Sequence, residues 1–333
     1  MPAIEVESLE KTWPGPVAAV RGIDFSVAEG EIFGLLGPNG AGKSSTVRML
    51  ATLSRPTGGR ARVGGHDILD DPAGVRRKIG YVGQASAVDE LLDGRENLGI
   101  QGRLFGLRGA ALTRRVDELL TLLDLDEAAD RPVRGWSGGM RRRLDLASGI
   151  VHRPRILFLD EPSAGLDPES RATLWREVRR LVDEDGVTVL LTTHYLEEAD
   201  RHAGHVAIID RGRIMAEGTP DALKGRLEGD LVTIRFADDT DLAVASARLG
   251  DLGEVREILS EGHGLHVRVE TGARAVAGLV GALGGFAIEE VTISRPTLDD
   301  VYLAVAGRRF DEADATGAAG PGGGRANGRR ARP

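Results

Sequence analysis

The chain has 333 residues, a formal net charge of -8 and no cysteine. That length suits about two domains of ordinary size. The absence of cysteine excludes a disulfide framework, a thiolate metal site and a cysteine nucleophile, and the mild acidity argues against a nucleic-acid-binding surface over the whole protein. No apolar run approaches the roughly 18 residues that span a bilayer, so we expect any membrane role to depend on a partner.

Two segments near the start alternate apolar and polar residues. Residues 4–6 and 22–27 follow this pattern, which predicts antiparallel strands with one solvated face. Trp13 lies between them. Taken by itself, Trp13 is interpreted more simply as an aromatic that covers the edge of the core than as a platform for a purine ring.

A glycine-rich turn follows an apolar run over residues 32–36 and precedes a helix-compatible run over residues 45–53. Its residues are Gly37, Pro38, Asn39, Gly40, Ala41, Gly42, Lys43 and Ser44. This spacing, between a strand and a helix, is typical of a phosphate-binding P-loop. Backbone N–H groups of the turn can surround phosphate oxygens, while Lys43 and Ser44 reach phosphate and Mg²⁺. The turn therefore predicts an ATP site.

The next apolar run, over residues 79–84, ends in a glutamine. The run predicts a short buried strand, and the side chain of Gln84 can either reach a metal-bound water or cap a loop. Beyond it, apolar residues recur at helical spacing: Leu112, Val116, Leu119, Leu120 and Leu123. We therefore expect a helical insertion from about residue 85 to 150.

A serine and two glycines close this insertion. Ser137 can cap the helix that follows, and Gly138 and Gly139 leave its first amides open to an anion. An ordinary helix start with a solvated arginine face is the alternative. The spacing to the next motif favours the functional interpretation.

Two carboxylates follow the apolar run over residues 156–159. Such a run is typical of a parallel strand buried on both faces, and two acids at its tip require a cation or a reaction. We expect Asp160 to hold Mg²⁺ through water, and Glu161 to orient and deprotonate an attacking water.

Two further polar residues stand at element boundaries. Asp167 precedes Pro168 at the start of a predicted helix, where N-capping alone explains it. His194 follows the apolar strand predicted over residues 187–191. A lone histidine is usually structural, but ligands of open α/β sheets bind at this carboxyl edge.

Taken in order, these motifs resemble those of an ATP-binding cassette (ABC) ATPase, the cytoplasmic motor of ABC transporters, over residues 1 to about 220. The resemblance implies an α/β P-loop NTPase fold, with a RecA-like core, an antiparallel β subdomain and a helical subdomain. The roles that it implies are adenine stacking by Trp13, a Walker A loop from Gly37 to Ser44 with Ser45 beside it, a Q-loop glutamine at Gln84, a signature at Ser137, Gly138 and Gly139, a Walker B pair at Asp160 and Glu161, a D-loop acid at Asp167 and a switch histidine at His194.

These roles sort into three chemical groups. Catalysis would fall to Glu161, His194, Gln84 and Lys43, and the Mg²⁺ ligands would be Ser44, Gln84 and Asp160, directly or through water. The departures from the family pattern are small and remove no catalytic group: Ser45 stands where threonine is common, Trp136 and Met140 flank the signature, and Gly165 lies inside the D-loop.

The resemblance also implies partners. In the family two cassettes meet head to tail, with each ATP between one Walker A loop and the other subunit's signature. This chain has one of each, which predicts a homodimer or a pair with a homologous chain. We further expect a separate membrane permease, a peripheral position on the cytoplasmic face of the membrane, and no direct contact with nucleic acid.

Residues 221–307 show a different pattern. Their order of strand, helix, strand, strand, helix and strand predicts a small α+β ferredoxin-like domain. Residues 295–303 resemble the C-terminal motif of the drug-resistance branch of these ATPases, the daunorubicin-resistance export subunits, although a helix that simply packs against the cassette would explain them too. Residues 308–333 are rich in glycine, alanine and charge, which predicts a disordered tail.

The sequence therefore favours the ATP-hydrolysing subunit of an exporter of drug-like or hydrophobic compounds. One alternative is a soluble ABC ATPase that acts on nucleic acid or ribosomes, but such chains usually carry two cassettes, a long coiled coil or zinc cysteines. Another is the ATPase of an ABC transporter for a different substrate. A non-hydrolysing binding module conflicts with the intact pair of Asp160 and Glu161.

Overall fold

The computed structural model describes residues 2–15, 17–227, 229–237, 241–308 and 310. Its contacts divide the chain into two compact units. The first contains Met1–Pro220 and continues at Arg308, and the second is Asp221–Gly307.

The described strands of the first unit form two sheets. Their bounds are β1 Ile4–Trp13, β2 Val17–Val27, β3 Ile32–Leu36, β4 Gly58–Val63, β5 His66–Asp67, β6 Ile79–Val82, β7 Ile156–Asp160, β8 Thr188–Thr193, β9 His205–Asp210 and β10 Arg213–Gly218. One sheet is antiparallel, in the order β2-β1-β4-β5, and the other has the order β10-β9-β3-β8-β7-β6. In the second sheet only β10 runs antiparallel to its neighbour.

The apolar runs of the sequence lie at the centre of the mainly parallel sheet. Every residue of β3, β7 and β8 is buried, because helices cover both faces of such a sheet. One continuous core joins the two sheets, and within it the rings of Phe25 and Phe33 stack with centroids 5.3 Å apart. The predicted antiparallel strands are confirmed, but they are longer than residues 4–6 and 22–27.

The helices of this part of the chain lie between the strands. Their bounds are α1 Lys43–Leu50, α2 Pro72–Lys78, α3 Gly94–Leu104, α4 Gly109–Leu122, α5 Gly138–Ile150, α6 Pro168–Asp183 and α7 Leu196–His202. Helix α8, Pro220–Gly225, follows β10 and belongs to the second unit from Asp221 onward. Short 3₁₀ turns at Asp126–Ala128 and Val133–Gly135 separate α4 from α5. The predicted apolar face of α4 is buried, from Leu112 to Leu120. No described helix is both long enough and apolar enough to cross a membrane.

The second unit has the topology of a ferredoxin-like fold. Its elements are β11 Asp230–Phe236, α9 Leu242–Gly250, β12 Val255–Glu261, β13 Gly264–Val269, α10 Gly272–Ala282, β14 Ile288–Ser294 and α11 Leu298–Ala306. The strands pair antiparallel in the order β12-β13-β11-β14, and a separate apolar core fills this unit. The predicted order of strands and helices is confirmed.

After the second unit the chain returns to the first. Arg308 donates hydrogen bonds to both carboxylate oxygens of Asp210, at 2.9 and 3.1 Å, and Phe310 is buried. The sequence assigned a tail from residue 308 onward. Arg308 and Phe310 belong instead to the folded first unit because the ion pair and burial anchor them, while residues 311–333 lie outside the described residues.

Candidate functional site

Four polar segments meet at one edge of the mainly parallel sheet. Strands β3, β8, β7 and β6 are consecutive neighbours and run in the same direction. Their carboxyl ends therefore deliver the glycine-rich loop, His194, the pair Asp160 and Glu161, and Gln84 to the same edge. This is the edge at which open α/β sheets bind ligands.

The loop between β3 and α1 follows a path that requires glycine. Gly42 has φ +114°, and a Cβ atom there would lie 2.4 Å from the carbonyl oxygen of Ala19. A Cβ atom on Gly37 would lie 2.2 Å from the carbonyl oxygen of Ile209. The loop therefore packs against the neighbouring backbone as only glycine allows, and it leads directly into the N-terminus of α1.

Lys43 is buried in this loop. Its ammonium group donates hydrogen bonds to the carbonyl oxygens of Gly37, at 2.6 Å, and Pro38, at 3.1 Å. The Nζ atom also lies 3.4 Å from Oε1 of Glu161. A charge at this depth requires such partners, so the loop holds a cation beside the catalytic carboxylate that the sequence predicted.

The carboxylate of Asp160 is held by two hydroxyl groups. Ser44 Oγ donates to Asp160 Oδ1 at 2.9 Å, and Thr192 Oγ1 donates to the same oxygen at 2.6 Å. Hydroxyl and carboxylate oxygens are ligands that Mg²⁺ prefers. The side chains present here therefore fit a Mg²⁺ ion, with Ser44 and Asp160 as the groups that would hold it directly or through water.

Glu161 has an unusual backbone conformation. Its φ is +48°, which is uncommon for a non-glycine residue and clusters at active sites. The amide group donates to both the carbonyl and the hydroxyl oxygen of Thr192, each at 3.1 Å. The Oε2 atom lies 3.2 Å from Nδ1 of His194, so this carboxylate stands between the imidazole and the ammonium of Lys43.

Several of the predicted site residues line one pocket of about 290 Å³, but Gly37, Asp160 and His194 are not among its lining residues. It is lined by Trp13, Val17, Ala19, Pro38, Asn39, Gly40, Gly42, Lys43, Ser44, Ser45, Gln84 and Glu161. Val17 and Ala19 belong to no motif, so they could not be identified from the sequence. Ala41 is buried and does not line the pocket; its carbonyl oxygen accepts a hydrogen bond from Gly212.

Trp13 lies at the wall of this pocket. Its Nε1 donates to Ser45 Oγ at 3.3 Å, and the Nζ atom of Lys11 lies 4.3 Å from its ring centroid. The indole is thus fixed in orientation by α1 and by a cation–π contact. Considered by itself, Trp13 was interpreted as a residue at the edge of the core; it is partly exposed and faces the pocket.

The predicted site residues at the starts of α5 and α6 do not line this pocket either. Ser137 caps α5 by accepting a hydrogen bond from the Met140 amide at 3.2 Å. Asp167 caps α6, and hydrogen bonds from Ser170 hold the pKa of its carboxyl below the usual range. Neither these two residues nor the two glycines that follow Ser137 line the pocket of the described chain.

Sequence reasoning missed a buried arginine behind the site. A solvated arginine face was the alternative interpretation of this helix start, yet Arg142, the second of three consecutive arginines in α5, is only 8% exposed. It lies on the same helical face as the buried Gly139 and Leu146, and this periodicity is the signal that could have identified it. Burial lowers the pKa of Arg142, while burial and the charge of Asp160 raise the pKa of Tyr81 nearby.

The chain is similar in sequence to known proteins. A family model described as ABC transporter matches residues 20–164. The daunorubicin resistance ATP-binding protein DrrA2 of Streptomyces coeruleorubidus is 45% identical, over 95% of this chain and 99% of that protein. This chain belongs to the ATP-binding subunit family of ABC transporters. The resemblance stated from its motifs is therefore confirmed.

The chain is also similar to another export ATP-binding protein and to a solved cassette structure. The Nod factor export ATP-binding protein I of Ralstonia nicotianae is 38% identical, over 93% of this chain and 95% of that protein. A solved dimeric cassette, MJ0796, in a post-hydrolysis state bound to ADP and Pi, matches with a TM-score of 0.60 and 25% identity. That match covers 65% of this chain and 98% of the other. The predicted P-loop NTPase fold is confirmed.

Proposed function

We propose that this chain is the ATP-binding and ATP-hydrolysing subunit of an ABC exporter, and that it drives efflux of a drug-like or hydrophobic compound through a separate permease. The observation that carries the proposal is a pocket lined by Lys43, Ser44 and Glu161, in which Ser44 also donates a hydrogen bond to Asp160. The names of the relatives, for daunorubicin resistance and Nod factor export, support the exporter assignment.

The nucleotide would lie along the pocket wall. Trp13 would stack on adenine, while the amides of the glycine-rich loop and the ammonium of Lys43 would bind the phosphates. Mg²⁺ held by Ser44, and by Asp160 and Gln84 directly or through water, would supply neutralisation of phosphate charge. These groups act by positioning and by charge rather than by covalent chemistry.

Glu161 is proposed as the general base. Its carboxylate would accept a proton from the attacking water, and His194, 3.2 Å from Oε2, would orient the carboxylate and the reacting phosphate. Lys43 holds Oε1 from the other side at 3.4 Å. Both oxygens of the base therefore have a neighbour that fixes the carboxylate plane.

A second subunit would complete the site. Ser137, Gly138, Gly139 and Asp167 lie outside the pocket of their own chain, and Ser137 and Gly138 are exposed. We propose that two copies associate head to tail, so that these residues contact the nucleotide of the partner subunit. The dimer would work at the cytoplasmic face of a membrane against its permease, without binding nucleic acid.

The test of the function is Glu161→Gln in the purified full-length chain. Because the amide cannot accept the proton, turnover should fall at least about 100-fold, whereas ATP affinity, measured by equilibrium binding, should remain. Glu29→Gln, on an exposed loop residue, is the matched control and should hydrolyse normally. Wild-type turnover in Glu161→Gln would contradict the assignment of the base.

Transport requires a different experiment. The chain should co-purify a polytopic membrane protein from detergent-solubilised membranes, and cells that lack both proteins should accumulate more of a fluorescent anthracycline. RNA- or DNA-stimulated hydrolysis without any membrane partner would instead favour a soluble ATPase.

A further inference from the structure

A buried arginine on α5 contacts two segments of the candidate active site. The guanidinium of Arg142 donates to the carbonyl oxygens of Gly83, at 2.6 Å, and Pro162, at 2.7 Å. It also donates to the carbonyl oxygens of Asp160, at 3.3 Å, and Glu161, at 3.2 Å. One side chain therefore links the end of β6 to the backbone on both sides of the proposed base.

A carboxylate one turn further along α5 contacts the same loop. Asp145 Oδ1 accepts hydrogen bonds from Ser86 Oγ at 3.1 Å and from the Ala87 amide at 3.0 Å. Its Oδ2 atom lies 4.0 Å from Nη1 of Arg142. Like Arg142, Asp145 is buried, and two buried charges are tolerated when they pair with each other and also make hydrogen bonds.

Together these two residues hold Gln84 from both sides. Arg142 binds the residue immediately before Gln84, and Asp145 binds the residues two and three positions after it. The segment that contains Gln84 is therefore hydrogen-bonded to α5 on both sides of this residue. The same helix fixes the backbone of Glu161 through Arg142.

The position of α5 links these contacts to the proposed dimer. The helix begins directly after Ser137, and its first residues are those that would meet the nucleotide of a partner subunit. An α-helix moves as a rigid body over such a distance, so a shift at its N-terminus displaces Arg142 and Asp145 as well.

We propose that Arg142 and Asp145 form a coupling pair, through which the signature helix positions Gln84 and Glu161 of its own subunit for hydrolysis. This inference rests on the proposed function. Both are positioning residues, because they touch the backbone beside the reacting groups and not the nucleotide. Their effect is on turnover rather than on ATP binding.

The first experiment separates positioning from binding. Asp145→Ala removes both hydrogen bonds to the loop after Gln84, and Arg142→Lys keeps the charge but cannot span four carbonyl oxygens. In each variant kcat should fall about 10- to 100-fold, as expected for catalytic groups displaced by about 1 Å. Equilibrium ATP affinity should change less than about 2-fold, because no loop contact to phosphate is lost.

Two matched variants control for structural damage. Asp145→Asn retains an oxygen acceptor at the same position and should recover most of the turnover lost in Asp145→Ala. Arg143→Lys, at the neighbouring position of the same helix, should hydrolyse at the wild-type rate. If Arg142→Lys fails to fold, the comparison of Asp145→Ala with Asp145→Asn still decides the question.

A double-mutant cycle tests the route of the effect. If Asp145 acts through Gln84, then adding Asp145→Ala to Gln84→Ala should lower kcat by less than about 3-fold, because coupled residues are not additive. A purely structural role would give the same loss in both backgrounds. Equal losses, or a kcat within about 2-fold of wild type in both Asp145→Ala and Arg142→Lys, would overturn the coupling pair.

These outcomes are distinguishable from failure of the function itself. If the wild-type chain hydrolyses ATP and Glu161→Gln does not, the proposed function stands whatever the coupling-pair variants do. A wild-type chain without ATPase activity would refute the proposed function first.

Discussion

Helices α1 and α5 both begin after glycine-rich or glycine-containing turns, but their starts differ. At α1 the first residue, Lys43, is buried, and a Cβ on Gly42 would meet the backbone of Ala19. At α5 Ser137 and Gly138 are exposed, and a Cβ on Gly138 would meet nothing within 4 Å. One helix start is enclosed by its own chain, and the other is open to a partner.

The two starts also differ in how their amides are satisfied. No side-chain cap hydrogen bond forms at α1, which is typical of a helix start that binds an anion. At α5 the hydroxyl of Ser137 already accepts a hydrogen bond from the Met140 amide. Under the proposed function, the first start would bind its ligand within one subunit, whereas the second, capped start would contact a ligand only in the dimer.

The largest effect is expected when two inactive variants of the chain are mixed. Lys43→Ala disables the enclosed start, and Ser137→Asp keeps a cap at the open start but adds negative charge facing phosphate. Each homodimer should be inactive. After mixing, half of the dimers carry one intact site of two, so turnover should recover to about a quarter of wild type.

The matched control mixes Lys43→Ala with Glu161→Gln. Both changes affect the enclosed half of the site, so every mixed dimer has two damaged sites and no activity should return. Recovery in this control, or none in the Ser137→Asp mixture, would contradict a site shared between subunits.

A smaller effect, on ATP affinity, is expected for Trp13 in the wall of the pocket. Trp13→Ala removes the aromatic surface beside Ser45, and ATP affinity should fall about 2- to 10-fold, the range of one aromatic stacking contact. Trp13→Phe should retain most of the affinity. Equal affinity for ATP in Trp13→Ala and wild type, measured by equilibrium titration, would remove Trp13 from the nucleotide site.

The smallest effect is expected on the stability of the protein without nucleotide, when the cap of α5 is removed. Ser137→Ala removes the cap of α5 and should lower the free energy of unfolding by about 1 kcal/mol, a shift of about 2–4 °C in Tm for a domain of this size. Ser137→Asn can still cap and should unfold near the wild-type temperature. Identical Tm values for Ala, Asn and wild type would show that the hydroxyl does not stabilise the helix.

Much of the fold could be predicted because its signals are local. The apolar run of β7 ends in Asp160 and Glu161, and burial on both faces of a parallel sheet explains such a run. The second unit was equally accessible, since alternation and helical periodicity follow one another in a recognisable order. Strand β4, Gly58–Val63, was missed because its two glycines and two arginines carry no strand signal.

The parts of the site that were not predicted depend on contacts between residues far apart in the sequence. Helical periodicity places Arg142 on the buried face of α5, but it does not show what the guanidinium binds. The carbonyl oxygens that accept its hydrogen bonds come from Gly83 and from residues 160–162. Trp13 was likewise assigned by itself to the core edge, because its hydrogen bond to Ser45 joins residues that are 32 positions apart.

The return of the chain at Arg308 has a consequence for how the cassette is encoded. Arg308 holds Asp210, two residues before Gly212, whose amide donates to Ala41 of the P-loop at 2.9 Å. The first unit is thus encoded by two separate stretches of the gene, and the ferredoxin-like unit is encoded between them. A reading frame cut after Pro220 would keep every motif of the proposed nucleotide site and yet omit Arg308, the cation that binds Asp210 near the turn at Gly212.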